Sequence, residues 1–307
     1  MPQAHLTIVP VPGDGAEDVL LAPDGSAYTG TGNGLVWHVE EDGARITRVG
    51  DTGGRPLGLE WLPDGRLLVC DADKGLLALD GATGHVEVLA TSAGGQDLVF
   101  TNNAAVAADG TVWFTDSSNR FGVREWKNDL LADSQSGRLI RRDTSGAVDV
   151  VLDGLSFANG VAIVPDESFV VVAETARCRL QKVWVTGQRA GRSQIFVEDL
   201  PAHPDNIARG SDGLIWVTYA SPRDPTLALL QRGPALARSA ALHLPEALRP
   251  APRRTARVVA YDTDGRLVRD LAFDATDWHM ATGVRELNGR LWLGSLAEPA
   301  LASFALG

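Results

Sequence analysis

The chain has 307 residues, of which 44% are hydrophobic and 22% are charged, and these proportions are typical of a soluble globular protein. A formal net charge of -11 argues against nucleic acid or an anionic membrane as a partner, because both favour a basic protein surface. We therefore expect a small-molecule partner, and the composition indicates no particular oligomeric state.

The start of the chain, residues 1–13, lacks the basic segment and the apolar run of about seven residues that a signal peptide needs. No window approaches the run of about eighteen apolar residues that is needed for a membrane-spanning helix. The two cysteines, Cys70 and Cys178, lie far apart and lack the spacing of a zinc site or a disulfide framework. The sequence therefore predicts a cytoplasmic protein with buried free thiols.

A turn motif of the Asp-Gly type recurs six times, and each copy precedes an apolar run with the composition of a β-strand. In chain order the copies are PDGSAY from Pro23, PDGRLLV from Pro63, ADGTVWF from Ala108, PDESFVV from Pro165, SDGLIWV from Ser211 and LNGRLWL from Leu287. Asp-Gly and Asn-Gly suit hairpin turns because these turns need positive φ, and Glu167 in the fourth copy is the poorest match. The steps between copies run from 40 to 76 residues, which is the spacing of propeller blades with insertions.

Each unit also contains a second pair of strands, as in residues 34–50 and 137–152. We therefore predict an all-β, six-bladed β-propeller with four antiparallel strands per blade, forming a single domain over residues 1–307. The last unit is one strand short, and the segment HLTIVPV from His5 is expected to close the last blade. A β-sandwich is the alternative, but its strands would not recur as six matched groups of four.

Two insertions interrupt the repeat, residues 117–136 in the third unit and residues 221–254 in the fifth. Both connect the second strand of a unit to its third. Such connections return to the end of the blade at which the inner strand starts, so we expect both insertions to form a lid over the channel mouth. The second insertion has helix-forming composition, and Asp224 is expected to cap a helix that begins at Pro225.

A side-chain oxygen occurs at one register position in four of the six units. The position lies seven residues before the turn Asp, or before Asn288 in the last unit, where the innermost strand should start. The six residues there are Glu17, Leu57, Asn102, Asn159, Asp205 and Ala281. Inner strands of a propeller surround its axis, so we predict that Glu17, Asn102, Asn159 and Asp205 bind one metal ion.

Two carboxylates and two amides form a hard, all-oxygen ligand set, which suits Ca²⁺ better than Zn²⁺, with other divalent cations as alternatives. The competing interpretation is structural, because Asn and Asp are common before strands, where they cap turns.

Six further residues lie two positions earlier and should surround the channel mouth. They are Gly15, Arg55, Phe100, Phe157, His203 and His279. We predict that Arg55, His203 and His279 orient or protonate the substrate, with His279 also a candidate catalytic base, while Phe100 and Phe157 provide an apolar wall. For each histidine the alternative is an ordinary surface-loop residue.

Four segments of the chain resemble the strictosidine synthase-like branch of the gluconolactonase (SMP-30) and calcium-dependent phosphotriesterase superfamily of six-bladed propellers. They are GAEDVLLAPDGSAYTG from Gly15, FTNNAAVAADGTVWFTDSS from Phe100, LSFANGVAIVPDESFVVVAET from Leu155 and LPAHPDNIARGSDGLIWVTYASP from Leu200. In the hydrolytic members a Glu, two Asn and an Asp bind a catalytic Ca²⁺. The resemblance implies the same role for Glu17, Asn102, Asn159 and Asp205.

Some plant enzymes of that branch instead condense an amine with an aldehyde without a metal, using a Glu at the start of the sixth inner strand. The resemblance aligns Thr282 with that Glu, and we expect Thr282 to contact the substrate. This departure favours hydrolysis. Asn103 stands where the family motif usually has Asp, and His203 where the branch often has Tyr.

The sequence therefore predicts a calcium-dependent hydrolase of a lactone or ester, with a phosphotriester as a further possible substrate. The ion would stabilise developing negative charge, with Asp205, Glu17 or His279 as the base. Alternatively, Asp205 attacks directly as a nucleophile. Two other functions remain open: a non-hydrolytic strictosidine synthase-like enzyme of specialised metabolism, and a metabolite-binding propeller with a structural ion.

Overall fold

The computed structural model describes residues 5–40, 43–245 and 248–307. These ranges contain 26 strands, and most of them form six four-stranded antiparallel sheets. Each sheet is one blade, in which strands that are consecutive in the chain lie side by side. The predicted all-β, six-bladed propeller is confirmed.

The first three blades follow the chain in order. Blade 1 contains β2 (Leu20–Leu21), β3 (Ala27–Gly30), β4 (Leu35–Val39) and β5 (Ile46–Asp51). Blade 2 contains β6 (Pro56–Trp61), β7 (Leu67–Asp71), β8 (Gly75–Leu79) and β9 (Val86–Ala90). A short hairpin, β10 (Ser92–Ala93) and β11 (Gln96–Asp97), precedes blade 3. Blade 3 contains β12 (Thr101–Val106), β13 (Val112–Asp116), β14 (Gly137–Arg142) and β15 (Val148–Leu155).

The remaining blades complete the ring. Blade 4 contains β16 (Ala158–Ile163), β17 (Phe169–Glu174), β18 (Arg179–Trp184) and β19 (Ser193–Val197). Blade 5 contains β20 (Ala202–Arg209), β21 (Ile215–Pro222), β22 (Arg257–Tyr261) and β23 (Leu267–Ala272). Blade 6 contains β24 (Ala281–Leu287), β25 (Arg290–Ser295), β26 (Ala300–Ala305) and β1 (Thr7–Pro10).

The N-terminal strand closes the last blade, as predicted. β1 pairs antiparallel with β26, with Thr7 opposite Ser303 and Pro10 opposite Ala300. This pairing joins two parts of the chain that are almost its whole length apart, and it replaces the fourth strand that the last sequence unit lacks.

Burial falls from the inner strands of a blade to the outer one. β16 and β17 of blade 4 are buried at every position, whereas β23 of blade 5 is mostly exposed. The apolar core therefore lies between the faces of neighbouring blades. The hairpins have the positive φ that the turn motif implies, and even Glu167 adopts a φ of 53°.

The two insertions contain three α-helices, α1 (Trp126–Ala132), α2 (Pro225–Arg232) and α3 (Ala235–Ala241), and we call residues 117–136 and 221–254 together the lid. Asp224 caps α2 as predicted, since its side chain accepts a hydrogen bond from Leu227 N at 2.9 Å. The insertions are tied to each other, because the Gln231 side chain donates to Leu130 O at 3.0 Å.

Two 3-10 helices, Val123–Glu125 and Gly187–Arg189, complete the description. Within the described ranges, no helix is long and apolar enough to cross a membrane.

Candidate functional site

A cavity of about 90 Å³ lies between the inner strands of the propeller and the lid. All four predicted metal ligands line it, and each is buried. Four of the predicted substrate contacts also line it, namely Phe100, Phe157, His203 and Thr282. The structure thus brings together residues from five blades that are up to 265 positions apart in the chain.

The two site asparagines have fixed orientations. Asn102 Nδ2 donates to Ser117 Oγ at 2.9 Å, and Asn159 Nδ2 donates to Thr175 Oγ1 at 3.1 Å. Their carbonyl oxygens, by contrast, are buried and have no hydrogen-bond partner in the protein. A buried acceptor without a partner is unfavourable, so both oxygens are available to a ligand in the cavity.

The two site carboxylates lie in a crowded acidic environment. Glu17 Oε1 accepts a hydrogen bond from Asn206 Nδ2 at 2.9 Å, while Glu17 Oε2 is buried and unpaired. Burial raises the pKa of Glu17 well above its usual value, and the nearby carboxylates of Asp205 and Asp18 raise it further. Burial also raises the pKa of Asp205 to about 7, although a hydrogen bond from Asn159 acts in the opposite direction. A cation bound between these groups would relieve both the desolvation and the repulsion.

The donor set therefore fits a hard divalent cation. Three buried oxygens without a protein partner, two of them amide carbonyls and one carboxylate, face the same site as Asp205. Oxygen donors of mixed charge suit Ca²⁺. Among the residues that the structure describes, no group of three or more His, Cys, Asp or Glu could hold a metal ion, so the set depends on its amides.

His203 presents an unpaired nitrogen in a fixed tautomer. Its Nδ1 lies 2.9 Å from Thr175 O, and because a carbonyl oxygen can only accept, Nδ1 carries the proton in this hydrogen bond. In the neutral ring Nε2 is then a bare acceptor, and this atom is buried without a partner. Burial lowers the pKa of His203 and so favours the neutral ring. The predicted substrate contact thus has the properties of a proton acceptor.

Blade 6 departs from the predicted register by one residue. Thr282 and Met280 line the cavity, whereas Ala281 and His279 are not among the lining residues. Met280 has a φ of 57°, close to the 60° of Phe157 at the matching place in blade 4. Thr282 Oγ1 donates to Glu17 O at 2.7 Å, so it also holds the backbone of a predicted metal ligand.

Two residues predicted from the same count lie outside the cavity lining. His279 Nδ1 forms a short hydrogen bond with Glu298 Oε1, and the ring also approaches Arg254. Arg55 is buried, and its guanidinium donates to Gly15 O at 3.0 Å, which ties blade 2 to blade 1. The structure therefore gives Arg55 a contact within the propeller and gives His279 a partly buried carboxylate partner.

The cavity wall is mainly apolar. Phe100 and Phe157 meet edge to face, with their ring centroids 5.5 Å apart. The lid adds Trp126, Leu130 and Leu227, which the sequence analysis did not identify individually. The helix-forming composition of the second insertion was a signal for Leu227, whereas no signal was read for the first insertion, which holds Trp126 and Leu130.

A second layer of residues follows the cavity residues by one position in each blade. In chain order it consists of Asp18, Gly58, Asn103, Gly160, Asn206 and Gly283. Asp18 accepts a hydrogen bond from Leu59 N, and Asn103 accepts one from Val161 N, so each holds the inner strand of the next blade. Glycine is needed between them, because a Cβ at Gly160 would lie 2.2 Å from the backbone nitrogen of the next blade. Sequence reasoning missed this layer, although the alternation of Asp or Asn with Gly was visible.

Comparison with known proteins gives matches along most of the chain. A family model described as strictosidine synthase matches residues 102–188. The chain is 35% identical to strictosidine synthase-like protein 10 of Arabidopsis thaliana over 267 residues, covering 82% of this chain and 70% of that protein. It is 37% identical to the adipocyte plasma membrane-associated protein of Salmo salar over 232 residues, covering 67% of this chain and only 55% of that relative.

Solved structures with the same fold have much lower sequence identity. A gluconolactonase from Xanthomonas campestris superposes with a TM-score of 0.73 at 19% identity, covering 99% of this chain and 90% of that one. A regucalcin from Agrobacterium tumefaciens, described as a calcium-binding protein, superposes with a TM-score of 0.69 at 16% identity, covering 99% and 94%.

Proposed function

The chain belongs to the strictosidine synthase-like family, and we propose that it is a calcium-dependent hydrolase of an apolar lactone or ester. The observation that carries this proposal is the convergence of Glu17 Oε2, Asn102 Oδ1 and Asn159 Oδ1, all buried and unpaired, on one cavity. Regucalcin, a calcium-binding protein of the same fold, supports the choice of ion. The gluconolactonase supports hydrolysis as a reaction that this fold can catalyse.

Glu17, Asn102, Asn159 and Asp205 would hold the ion. When bound, Ca²⁺ supplies positive charge to the oxygen on which negative charge develops as a carbonyl is attacked. The hydrogen bonds from the site amides to Ser117 and Thr175 hold both carbonyl oxygens in place before the substrate binds.

His203 is the residue that we propose as the base. Its Nε2 accepts a proton from the attacking water while the water oxygen bonds to the carbonyl carbon, and the proton then passes to the leaving alkoxide. This assignment follows from the tautomer that Thr175 O imposes and from the absence of a protein partner for the buried Nε2 of a residue that lines the cavity. Asp205 and Glu17 remain available to the ion, and the location of His279 outside the lining disfavours it as the base.

The wall chemistry supports an apolar substrate. The wall has aromatic and aliphatic side chains at Phe100, Phe157, Trp126, Leu130 and Leu227. A polyhydroxylated lactone would place hydroxyl groups against these surfaces without hydrogen-bond partners, which is unfavourable. An aryl or alkyl group with one reactive carbonyl matches the arrangement, with the apolar body under the lid and the carbonyl at the polar base.

Amine–aldehyde condensation has less support. Thr282 occupies the position where the resemblance implies Glu, and its hydroxyl is engaged with Glu17 O. A threonine hydroxyl in that contact provides no acid or base of suitable pKa.

The test is hydrolysis of an aryl ester, an alkyl-substituted lactone, an aldonolactone and a phosphotriester, with Ca²⁺ and after treatment with EDTA. We expect turnover of the aryl ester and the alkyl lactone, loss of turnover with EDTA, and recovery with Ca²⁺. Asn102→Ala should be inactive, whereas Asp153→Asn, an exposed change on β15, should match the wild type.

Activity that survives chelation would contradict the metal-dependent mechanism. Calcium binding without turnover of any of the four substrates would instead favour a metabolite-binding propeller.

A further inference from the structure

The lid exposes an unusual amount of apolar surface. The most exposed large hydrophobic side chains in the described part of the chain are Leu236 at 84%, Leu229 at 73% and Leu248 at 68%, all in the second insertion. Leu244, in the same insertion, is 40% exposed. Single exposed leucines are ordinary, but a group confined to one short segment marks an interaction surface.

Two of the lid helices each carry a leucine on their solvent side. In α2, Leu227 is buried and Leu230 packs against the apolar cluster around the cavity, whereas Leu229 between them faces solvent. In α3, Ala241 belongs to the same buried cluster and Leu236 faces outward. A helix that only covers a cavity needs one apolar face and a polar one. The two outward leucines are therefore not explained by the cavity.

The charge of this segment is opposite to that of the whole chain. Residues 221–254 contain six arginines and two acidic residues, although the chain has a net charge of -11. Arg238 and Arg249 bind backbone carbonyl oxygens within the lid. Arg232 and Arg253 have exposed side chains on the same insertion as the exposed leucines, although Arg253 also donates to Arg223 O at 3.3 Å. Exposed leucine together with exposed arginine is the chemistry of a surface that binds anionic lipid.

We propose that the outer face of the lid docks on an anionic phospholipid surface. The leucines enter the interface between headgroups and acyl chains while the arginines contact the phosphate groups. The acidic remainder of the protein does not prevent this, because charges more than about 8 Å away are largely screened at physiological ionic strength. The expectation that an anionic membrane is not a partner was based on the net charge of the whole chain. A net charge does not report that residues 221–254 are locally positive.

Docking in this orientation places the lid between the lipid and the cavity. An apolar substrate dissolved in the lipid would then meet the lid before it meets bulk water. The docking itself depends only on the lid surface and not on the proposed hydrolysis.

The test is cosedimentation of the full chain with vesicles of phosphatidylcholine alone or mixed with phosphatidylserine. We expect binding to the phosphatidylserine vesicles, weaker binding to phosphatidylcholine, and a loss of binding as salt is raised. The double variant Leu229→Ser/Leu236→Ser should bind about tenfold more weakly or worse, and Arg232→Glu/Arg253→Glu should lose the preference for phosphatidylserine. Leu267→Ser removes a leucine that is 53% exposed from the outer strand of blade 5 and should bind like the wild type.

Absence of wild-type binding to either vesicle would overturn the proposal, and so would equal losses in the lid variant and in Leu267→Ser. A dimer that dissociates when Leu236 is replaced would identify a second copy as the occupant and would equally overturn it. Turnover of a water-soluble ester by the Leu229→Ser/Leu236→Ser variant is measured in parallel, because it separates failure of docking from failure of the proposed hydrolysis.

Discussion

Replacing Asp205 with asparagine should stabilise the calcium-free protein and remove most of the stabilisation that calcium gives. The reason is that Asp205 lies buried near Glu17 and Asp18, where its negative charge is unfavourable unless a cation is present. Asparagine keeps the shape and the oxygen donor but carries no charge.

The size of the effect follows from the raised pKa. Burial raises the pKa of Asp205 from 3.8 to about 7, and each unit corresponds to about 1.4 kcal/mol. The folded protein holds this proton more tightly than the unfolded chain, so the free energy of unfolding of the calcium-free protein falls as pH rises from about 4 to about 7. Above that range the ionised carboxylate lowers the free energy of unfolding of the calcium-free wild type by about 4 kcal/mol. The variant has no carboxylate at this position and does not lose this stability.

Calcium should stabilise the wild type much more than the variant. A ligand present at a concentration of about 100 times its dissociation constant stabilises the folded state by about 2.7 kcal/mol. The variant lacks one of the two carboxylates proposed to bind the ion, so it should gain much less. A change of 1 kcal/mol moves the melting temperature of a chain of this size by about 2 °C. The variant should therefore melt about 8 °C higher than the wild type in EDTA, while calcium should raise the wild type by about 5 °C and the variant by little.

The measurement is differential scanning calorimetry in EDTA and in excess Ca²⁺, at a mildly alkaline pH and again near the lower end of the titration range. Asp153→Asn serves as the matched control, because it removes one carboxylate from an exposed site. The reasoning would be refuted by an Asp205→Asn protein that is less stable than the wild type in alkaline EDTA, or by a wild type that calcium does not stabilise.

Three other changes test the site and the ring. Ser117→Ala removes the acceptor that orients a site amide and should weaken Ca²⁺ binding about tenfold in titration calorimetry, whereas unchanged affinity would mean that this hydrogen bond does not matter. His203→Gln should lower kcat about 100-fold or more with little change in KM, while His279→Gln should leave both near the wild-type values, and the reverse pattern in steady-state kinetics would reassign the base. Gly160→Ala should destabilise the fold by about 1–3 kcal/mol in thermal melts, while Gly122→Ala, whose Cβ would have its nearest neighbour at 3.9 Å, should have little effect.

The propeller was predictable from sequence because its turns repeat. The Asp-Gly motif marks one hairpin per blade, and the spacing of the motifs is a property of the architecture rather than of any one contact. The same periodicity identified four residues of the cavity floor, since positions in one register of different blades converge on the axis.

The register failed in blade 6 because its hairpin differs. In blade 2, Trp61 pairs with Leu67 across a loop of five residues, whereas in blade 6 Leu287 pairs with Arg290 across Asn288 and Gly289 alone. Because the turn in blade 6 is shorter, the pairing of β24 with β25 continues closer to the turn. The number of residues between the turn and the cavity position is therefore smaller by one in this blade. For this reason the sequence pointed to Ala281 and His279 where the structure has Thr282 and Met280.

The position of a residue in the sequence repeat does not determine which atoms its side chain contacts. Arg55 lies at its expected register position, but its guanidinium reaches Gly15 O. His203 was expected to contact substrate, yet the tautomer set by Thr175 O depends on a hydrogen bond between blades 4 and 5. The apolar lid wall likewise depends on how the helices of two insertions pack together.

The pairing of β1 with β26 also constrains how the protein is made. During synthesis β1 leaves the ribosome before the other strands of the propeller, but its partner is β26 of blade 6, with Thr7 opposite Ser303. Blades 1 to 5 have all four of their strands consecutive in the chain and can form in order as they emerge. β1 must remain unpaired throughout that time, and its exposed edge is a site where two nascent chains on one message could pair with each other.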